Sequence, residues 1–145
     1  MQTFLAYADF ALSAKVLDGK RLNKERPEVL EIYNTITIPS YGWQHHPAVT
    51  MWRGYEQCLL EYGIAICTEW IRRGFKDNLL PVFLSLRNSE IAERPWWLGN
   101  EAFHSAHRAI LLAKNFEHYS KFGWTEKPAV KINGKWPYVW PKGKS

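Results

Sequence analysis

One carboxylate stands out among the residues that could do chemistry, because Glu25 lies in a strongly basic stretch from Arg21 to Arg26. At about 100° per residue, a helix here would carry Glu25 on an apolar face with Leu22 and Val29. Because burying a lone carboxylate is costly, Glu25 needs a cationic partner, a raised pKa or a catalytic function. Two interpretations stay open: a structural ion pair, or an anion-binding active site in which Glu25 moves protons.

The cations around Glu25 favour an anionic partner such as the DNA backbone, whose phosphates bind Lys and Arg side chains. Four of them stand close together in the sequence: Lys20, Arg21, Lys24 and Arg26. Pro27 lacks a backbone N–H and disfavours helical geometry at the preceding residue, so we expect a break or kink there. The free N–H groups of a helical segment that begins after the break would attract phosphate.

Histidines form a second set of candidate residues. His45 and His46 are adjacent, and His104 and His107 lie one helical turn apart with Arg108 next to them. We expect this second group to project from the polar face of a helix and to contact phosphate. The sequence has no HExxH or CxxC pattern and no carboxylate that completes a ligand set, so we expect no metal site.

Composition is typical of a basic globular protein. The 145 residues carry a net charge of +5 and include 8 Trp, 7 Tyr and 7 Phe. The charge favours an anionic partner without identifying it. So many flat side chains indicate either an aromatic-rich core or stacking surfaces for nucleic-acid bases.

The cysteines and the hydropathy pattern bear on the compartment. Cys58 and Cys67 lie in one predicted helix at a spacing that points them to opposite sides, so we expect free thiols in a reducing compartment. No apolar run approaches the roughly 20 residues that cross a bilayer. We therefore expect a cytoplasmic protein with no membrane partner.

The spacing of apolar residues predicts one all-α domain over residues 1–145, with three main helices, long aromatic-rich connections and a C-terminal tail. The first helix starts after the capping residue Asp9. The second and longest runs from Pro47 to Arg72, and the third follows Asn100. Residues 79–84 predict a short additional helix, and residues 94–99 predict a loop.

Several stretches resemble the pyrimidine-dimer DNA glycosylase family, of the excision-type endonuclease V kind. The segment Lys24-Glu25-Arg26-Pro27-x-Val29 is similar to the family's motif of a basic residue, Glu, Pro and Val. A second match runs from Gly42 and His46 through the long helix to Arg72-Arg73-Gly74-Phe75, and a weaker one joins Glu101-Ala102 to Tyr119. The start Met1–Leu5 and the His104-x-x-His107-Arg108 pattern resemble a bacterial branch of this family.

This resemblance implies a mostly helical domain and a covalent reaction on DNA. In that reaction the N-terminal α-amine, here that of Met1, attacks C1′ of the damaged nucleotide, expels the base and forms an imine. Glu25 then assists the proton transfers that lead to strand cleavage by β-elimination. An α-amine suits the role because its ordinary pKa, about 7.7, leaves a neutral fraction at pH 7. The large Gln2 side chain disfavours removal of Met1, so we expect Met1 to carry the amine.

The resemblance also implies the partner and the residues that bind it. We expect a monomer, without a cofactor, that acts on double-stranded DNA containing a damaged or modified pyrimidine after nucleotide flipping. The expected DNA contacts come from Gln2, Lys20, Arg21, Lys24, Arg26, His45, His46, His104, His107 and Arg108. Two alternatives stay open: a non-catalytic DNA-binding relative of the same fold, and a small-molecule enzyme that uses the histidine face.

Overall fold

A computed structural model describes residues 1–144 and orders them into seven α-helices. In chain order these are α1 (Phe10–Val16), α2 (Gly19–Thr37), α3 (Pro47–Thr50), α4 (Glu56–Arg72), α5 (Leu80–Leu86), α6 (Glu101–Lys114) and α7 (Phe116–Tyr119). A short 3₁₀ turn, Ser120–Phe122, follows α7. Over the described range, β pairing is limited to one isolated bridge between Ile132 and Lys135. The all-α prediction is therefore confirmed.

Helix α4 is the centre of the fold, and α1, α2 and α5 all pack against it. Gly63 of α4 makes this close packing possible, because a Cβ atom there would meet Val29 Cγ1 of α2 at 2.8 Å and Phe83 Cε2 of α5 at 2.9 Å. Beside this contact lies an aromatic core in which the Trp52 and Trp97 rings meet edge to face with centroids 5.0 Å apart. Much of the aromatic content is thus explained by core packing.

Two boundaries differ from the sequence prediction. The helix predicted from Pro47 to Arg72 is interrupted between α3 and α4 by a turn in which Gly54 has φ +87°, a left-handed value that favours glycine. Conversely, α2 runs through Pro27 without the predicted break. Pro27 has no backbone N–H to donate to the Asn23 carbonyl one turn earlier. Because Asn23 is exposed, water can supply the missing hydrogen bond. Glu25 therefore lies inside a continuous helix and not beside a helix terminus.

The predictions for the helix starts and the cysteines are confirmed. Asp9 caps α1, since its carboxylate accepts the Leu12 N–H at 2.9 Å, and Asn100 caps α6 in the same way through the Phe103 N–H. Cys58 and Cys67 are buried, unpaired thiols on α4. None of the helices in residues 1–144 combines the length and apolarity needed to span a membrane.

Candidate active site at the N-terminus

The N-terminal residues line a pocket of about 240 Å³ together with α2, the end of α6 and the C-terminal tail. Its walls are formed by Met1, Gln2, Phe4, Arg21, Lys24, Glu25, Glu28, Lys114, Trp136 and Tyr138. The structure thus brings together five residues that the sequence proposed for chemistry or DNA contact: Met1, Gln2, Arg21, Lys24 and Glu25. The other proposed residues lie outside this pocket.

Glu25 is 1% exposed and faces the N-terminal segment from the core side of α2. Its Oε1 atom accepts hydrogen bonds from the Phe4 N–H at 2.9 Å and from the Tyr62 hydroxyl at 2.7 Å. Within residues 1–144, no Lys or Arg pairs with it, so the ion-pair interpretation is wrong. Burial raises the pKa of Glu25 to about 8, although both hydrogen bonds oppose the rise. Its carboxyl group is therefore mostly protonated at neutral pH.

A second carboxylate, Glu28, lies nearer the chain terminus, with its Oε1 atom 4.0 Å from the Met1 amine. Both side chains are largely buried, which strengthens their attraction relative to a surface pair. Glu28 is not among the site residues predicted from the sequence. Its spacing from Glu25 was an available signal, because residues three apart share one helix face.

Three cationic side chains line the pocket, and we take the side that they form as its cationic mouth. Lys24 is exposed, and Arg21 is held by Asp18, its Nη1 atom lying 3.3 Å from the Asp18 carboxylate. Lys114 enters from the end of α6, and burial, with nearby cations contributing, lowers the pKa of its ammonium. Lys20 is exposed on the same helix as Arg21 but does not line the pocket. These positive charges suit an anionic ligand.

Aromatic side chains of the C-terminal tail form the opposite wall. The Lys114 and Lys131 ammonium groups lie 5.2 and 5.1 Å from the Trp136 ring centroid, which holds that ring beside the cations. Burial and the Glu25 charge raise the pKa of Tyr138 to about 12. Lys114, Trp136 and Tyr138 are not among the site residues predicted from the sequence, because only the folded chain brings the end of α6 and the tail to the N-terminus.

Arg26 has a structural role in place of the phosphate contact that we predicted. Its Nε atom lies 2.6 Å from the buried Asp77 carboxylate, and its guanidinium group lies over the Trp70 ring at 5.5 Å. Arg26 thereby ties α2 to the connection between α4 and α5. The sequence could not indicate this pairing, since Asp77 is distant along the chain.

The prediction of an exposed histidine face on α6 is wrong. His104, His107 and Arg108 are all buried, and they hold the backbone of the N-terminal segment. His104 Nε2 accepts the Gly99 N–H, so its Nδ1–H donates to the Leu5 carbonyl at 2.9 Å. His107 Nδ1 accepts the Leu5 N–H at 3.0 Å, and Arg108 donates to the Ala6 carbonyl at 2.7 Å. In this conformation they position the chain terminus and do not face a ligand.

His107 shows why this group is unsuited to direct phosphate binding. It is 0% exposed, and burial lowers its pKa to about 3, so the ring is neutral at physiological pH. Arg108 is charged, but its guanidinium group is engaged by the Glu101 and Glu126 carboxylates. Together these residues fix where Met1 lies.

His46 and His45 differ in environment. His46 caps α3 by accepting the Ala48 N–H at 3.0 Å, and its ring stacks on Trp43. Burial and then the positive Met1 amine lower the pKa of His46, which places its imidazole in the electrostatic field of the chain terminus. His45 is exposed, and its proposed DNA contact stays a prediction.

Comparison with known proteins identifies the family. The sequence model of the family described as pyrimidine dimer DNA glycosylase matches residues 1–80. The chain belongs to this family. No curated protein and no solved structure matches the chain. Membership confirms the resemblance and implies DNA containing pyrimidine dimers as the substrate of the family.

The match covers only part of this glycosylase-family pocket. Met1, Gln2, Glu25 and Glu28 lie within the matched residues, whereas Lys114, Trp136 and Tyr138 lie beyond them. The chain terminus and both carboxyl groups of the pocket therefore belong to the family region. Its aromatic wall is contributed by the remainder of the chain.

We expect Glu25→Gln to remove a pH dependence from the stability of this glycosylase-family protein. The pKa of Glu25 is about 8 in the folded protein, whereas its ordinary value is 4.5. Between these two pH values the folded protein therefore keeps a proton that the unfolded chain has lost. The free energy of unfolding should therefore fall as pH rises through this window, by up to about 5 kcal/mol. The amide makes the same acceptor contacts without ionising.

Urea unfolding at about pH 5 and about pH 9 tests this expectation. Raising the pH from about 5 to about 9 should lower the free energy of unfolding more for the wild type than for the variant. An equal difference in free energy at both pH values would contradict the raised pKa of Glu25.

Proposed function

We propose that this protein is a pyrimidine dimer DNA glycosylase with an associated lyase activity, in which the Met1 α-amine is the nucleophile. The observation that carries the proposal is that the chain terminus and the buried Glu25 line one cation-rimmed pocket. The family match to residues 1–80 supports the substrate class. A buried acid and a free amine in one pocket suit imine chemistry on a sugar.

Each step of the reaction uses a group that lines the pocket. The neutral Met1 amine forms a bond to C1′ as the C1′–N1 bond breaks, and the electron pair of that bond leaves with the base, which takes up a proton that the positively charged Met1 nitrogen releases. Protonated Glu25 donates to the deoxyribose ring oxygen, which opens the ring and leaves an imine between Met1 and C1′. The resulting Glu25 carboxylate then accepts a proton from C2′, and the 3′ phosphate departs by β-elimination.

Glu28 prepares the amine for attack. Its carboxylate, 4.0 Å from the Met1 nitrogen, holds the ammonium group in the pocket. It can also accept the proton that the ammonium must lose before it attacks. Two carboxyl groups thus serve different steps, with Glu28 acting on the amine and Glu25 acting on the sugar.

DNA would approach the pocket through its cationic mouth. Arg21, Lys24 and Lys114 line the pocket, and they could bind phosphates on either side of the damaged nucleotide. The amine lies within the pocket, so C1′ can reach it only if the nucleotide leaves the base stack. Trp136 and Tyr138 offer aromatic surfaces against which an extruded base could pack.

Replacing Arg21 or Lys24 by Ala should weaken binding to all duplex sequences, because contacts with phosphate carry no sequence information. Each variant should lower the slope of log affinity against log salt by roughly one unit. Fluorescence anisotropy with duplex DNA over a series of salt concentrations measures this slope. Lys15→Ala is the matched control, since it also removes one charge but lies on a different surface, beside α4.

The control should keep the wild-type slope. If neither pocket variant changes the slope, or if Lys15→Ala changes it equally, DNA does not bind at the pocket mouth. Arg26→Ala should act mainly on stability, because Arg26 pairs with Asp77.

Borohydride trapping with abasic duplex DNA tests the enzymatic proposal. Only a protein that forms an imine becomes covalently attached when the imine is reduced. We expect the wild-type protein to be trapped. Salt-sensitive DNA binding without trapping would support the alternative of a non-catalytic DNA-binding relative.

A further inference from the structure

The Gln2 side chain lines the pocket, and of its two amide atoms only the oxygen has a hydrogen-bond partner among the described residues. Gln2 is 6% exposed, and its Oε1 atom accepts the Thr3 N–H at 2.7 Å. This bond fixes which end of the amide is oxygen. The Nε2 group has no hydrogen-bond partner among the described residues. The amide is near enough to Tyr138 to oppose the rise in that residue's pKa, but their geometry makes no hydrogen bond.

A buried N–H₂ group without a partner is costly, and native proteins contain few of them. The cost is recovered when a ligand supplies the acceptor. Gln2 lines the pocket beside three cationic side chains, those of Arg21, Lys24 and Lys114. Its amide is one of the neutral side-chain donors there, with the Trp136 N–H and the Tyr138 O–H. The cations suit phosphate, whereas a neutral donor suits a neutral carbonyl oxygen.

We propose that Gln2 Nε2 donates a hydrogen bond to the O2 carbonyl oxygen of the pyrimidine that leaves, and that this contact contributes to selection of pyrimidines. The inference rests on the proposed function, because it assumes that the Met1 amine attacks C1′. Pyrimidine O2 is carried by C2, which is bonded to N1, the atom attached to C1′. A residue next to the nucleophile in the chain is therefore suitably placed for O2.

The contact gains strength as the reaction proceeds. When the C1′–N1 bond breaks, the electron pair passes to N1 and is shared with O2 through C2. A donor already aimed at O2 stabilises this developing charge, as donors in an oxyanion hole do. A purine leaves through N9, whose ring neighbours C4 and C8 carry no carbonyl oxygen. Gln2 would thus favour the departure of a pyrimidine.

Two variants test the role of the donor. Gln2→Met keeps the length of the side chain without a donor or a charge, and Gln2→Glu keeps the acceptor for the Thr3 N–H but has no N–H₂ group. Both residues are as large as Gln, so removal of Met1 stays disfavoured. Each variant is assayed under single-turnover conditions for cleavage of the C1′–N1 bond in a duplex with one cyclobutane thymine dimer. Borohydride trapping on an abasic duplex, which lacks O2, is measured in parallel.

We expect cleavage of the C1′–N1 bond at the dimer to fall by about 100-fold in both variants, the usual effect of removing one donor to a developing oxyanion. The loss in abasic trapping should be at least about tenfold smaller. Equal losses on the two substrates, or normal dimer excision by Gln2→Met, would overturn the proposal. If Gln2→Met does not fold, by circular dichroism, the ratio for Gln2→Glu decides. Absence of trapping by the wild type is a separate result, and it overturns the proposed function itself.

Discussion

We expect Glu25→Gln to reduce strand cleavage at an abasic site by about 10²–10⁴-fold, the usual contribution of a general acid or base. In the proposed reaction Glu25 supplies a proton to the sugar and then removes one from C2′, and an amide does neither. The amide oxygen still accepts hydrogen bonds from the Phe4 N–H and the Tyr62 hydroxyl. Folding and DNA affinity should therefore persist.

Single-turnover cleavage of an abasic duplex measures the effect, with DNA affinity determined in parallel. Glu69→Gln is the matched control, because Glu69 is also a largely buried carboxylate but pairs with Arg72 and Arg73 on α4. The control should lose stability and cleave at the wild-type rate. Wild-type cleavage by purified Glu25→Gln would remove Glu25 from the catalytic role.

The position of Glu25 could be predicted from the sequence because it depends on local geometry. Helical spacing placed Glu25 on an apolar face, and the structure buries it there beside Leu22 and Val29. The same argument anticipated a raised pKa as one of the ways to tolerate a buried carboxylate. The actual partners of Glu25 lie elsewhere in the chain, at Phe4 and Tyr62, so spacing alone could not identify them.

The error on α6 has a different physical origin. The sequence predicts a polar, solvent-facing surface for His104, His107 and Arg108, because polar side chains of a helix usually contact solvent. Here the N-terminal segment lies across that face, and its backbone groups provide the hydrogen-bond partners that polar side chains require. A sequence shows the polarity of a face, but it does not show that another segment covers it with peptide groups.

The aromatic wall was unpredictable for a similar reason. Trp136 and Tyr138 occur in a tail without helical or strand periodicity, and their position depends on contacts with side chains distant in sequence. Their packing against the N-terminal region exists only in the folded chain. Glu28 is a different case, since its helical spacing from Glu25 was visible and its significance followed only from its distance to the Met1 amine.

Acetylation of the N-terminus should abolish imine trapping or slow it greatly, while helix content and DNA affinity stay nearly unchanged. Acetylation makes the Met1 nitrogen an amide, whose lone pair is not available for attack. A one-residue extension is the complementary change, because it keeps a free amine but displaces it by up to about 3.5 Å. A misplacement of about 1 Å can already cost about 10²-fold. The displaced amine should not be able to move back to its original position, because Met1 lies beside Glu28 and α6 holds the backbone of Leu5 and Ala6.

Acetylation of the α-amine distinguishes Met1 from the lysines of the pocket as the nucleophile. Lys24 and Lys114 also line the pocket, and burial lowers the pKa of Lys114, which increases its neutral fraction. Acetylation restricted to the α-amine leaves both lysines intact. Mass spectrometry of the reduced adduct after trypsin digestion should locate DNA remnants on the peptide containing Met1, and not on a peptide in which Lys114 is an internal, uncleaved residue. If the acetylated protein is trapped as well as the free one and the adduct lies on Lys114, the nucleophile is a lysine, and the cationic mouth is then the catalytic centre.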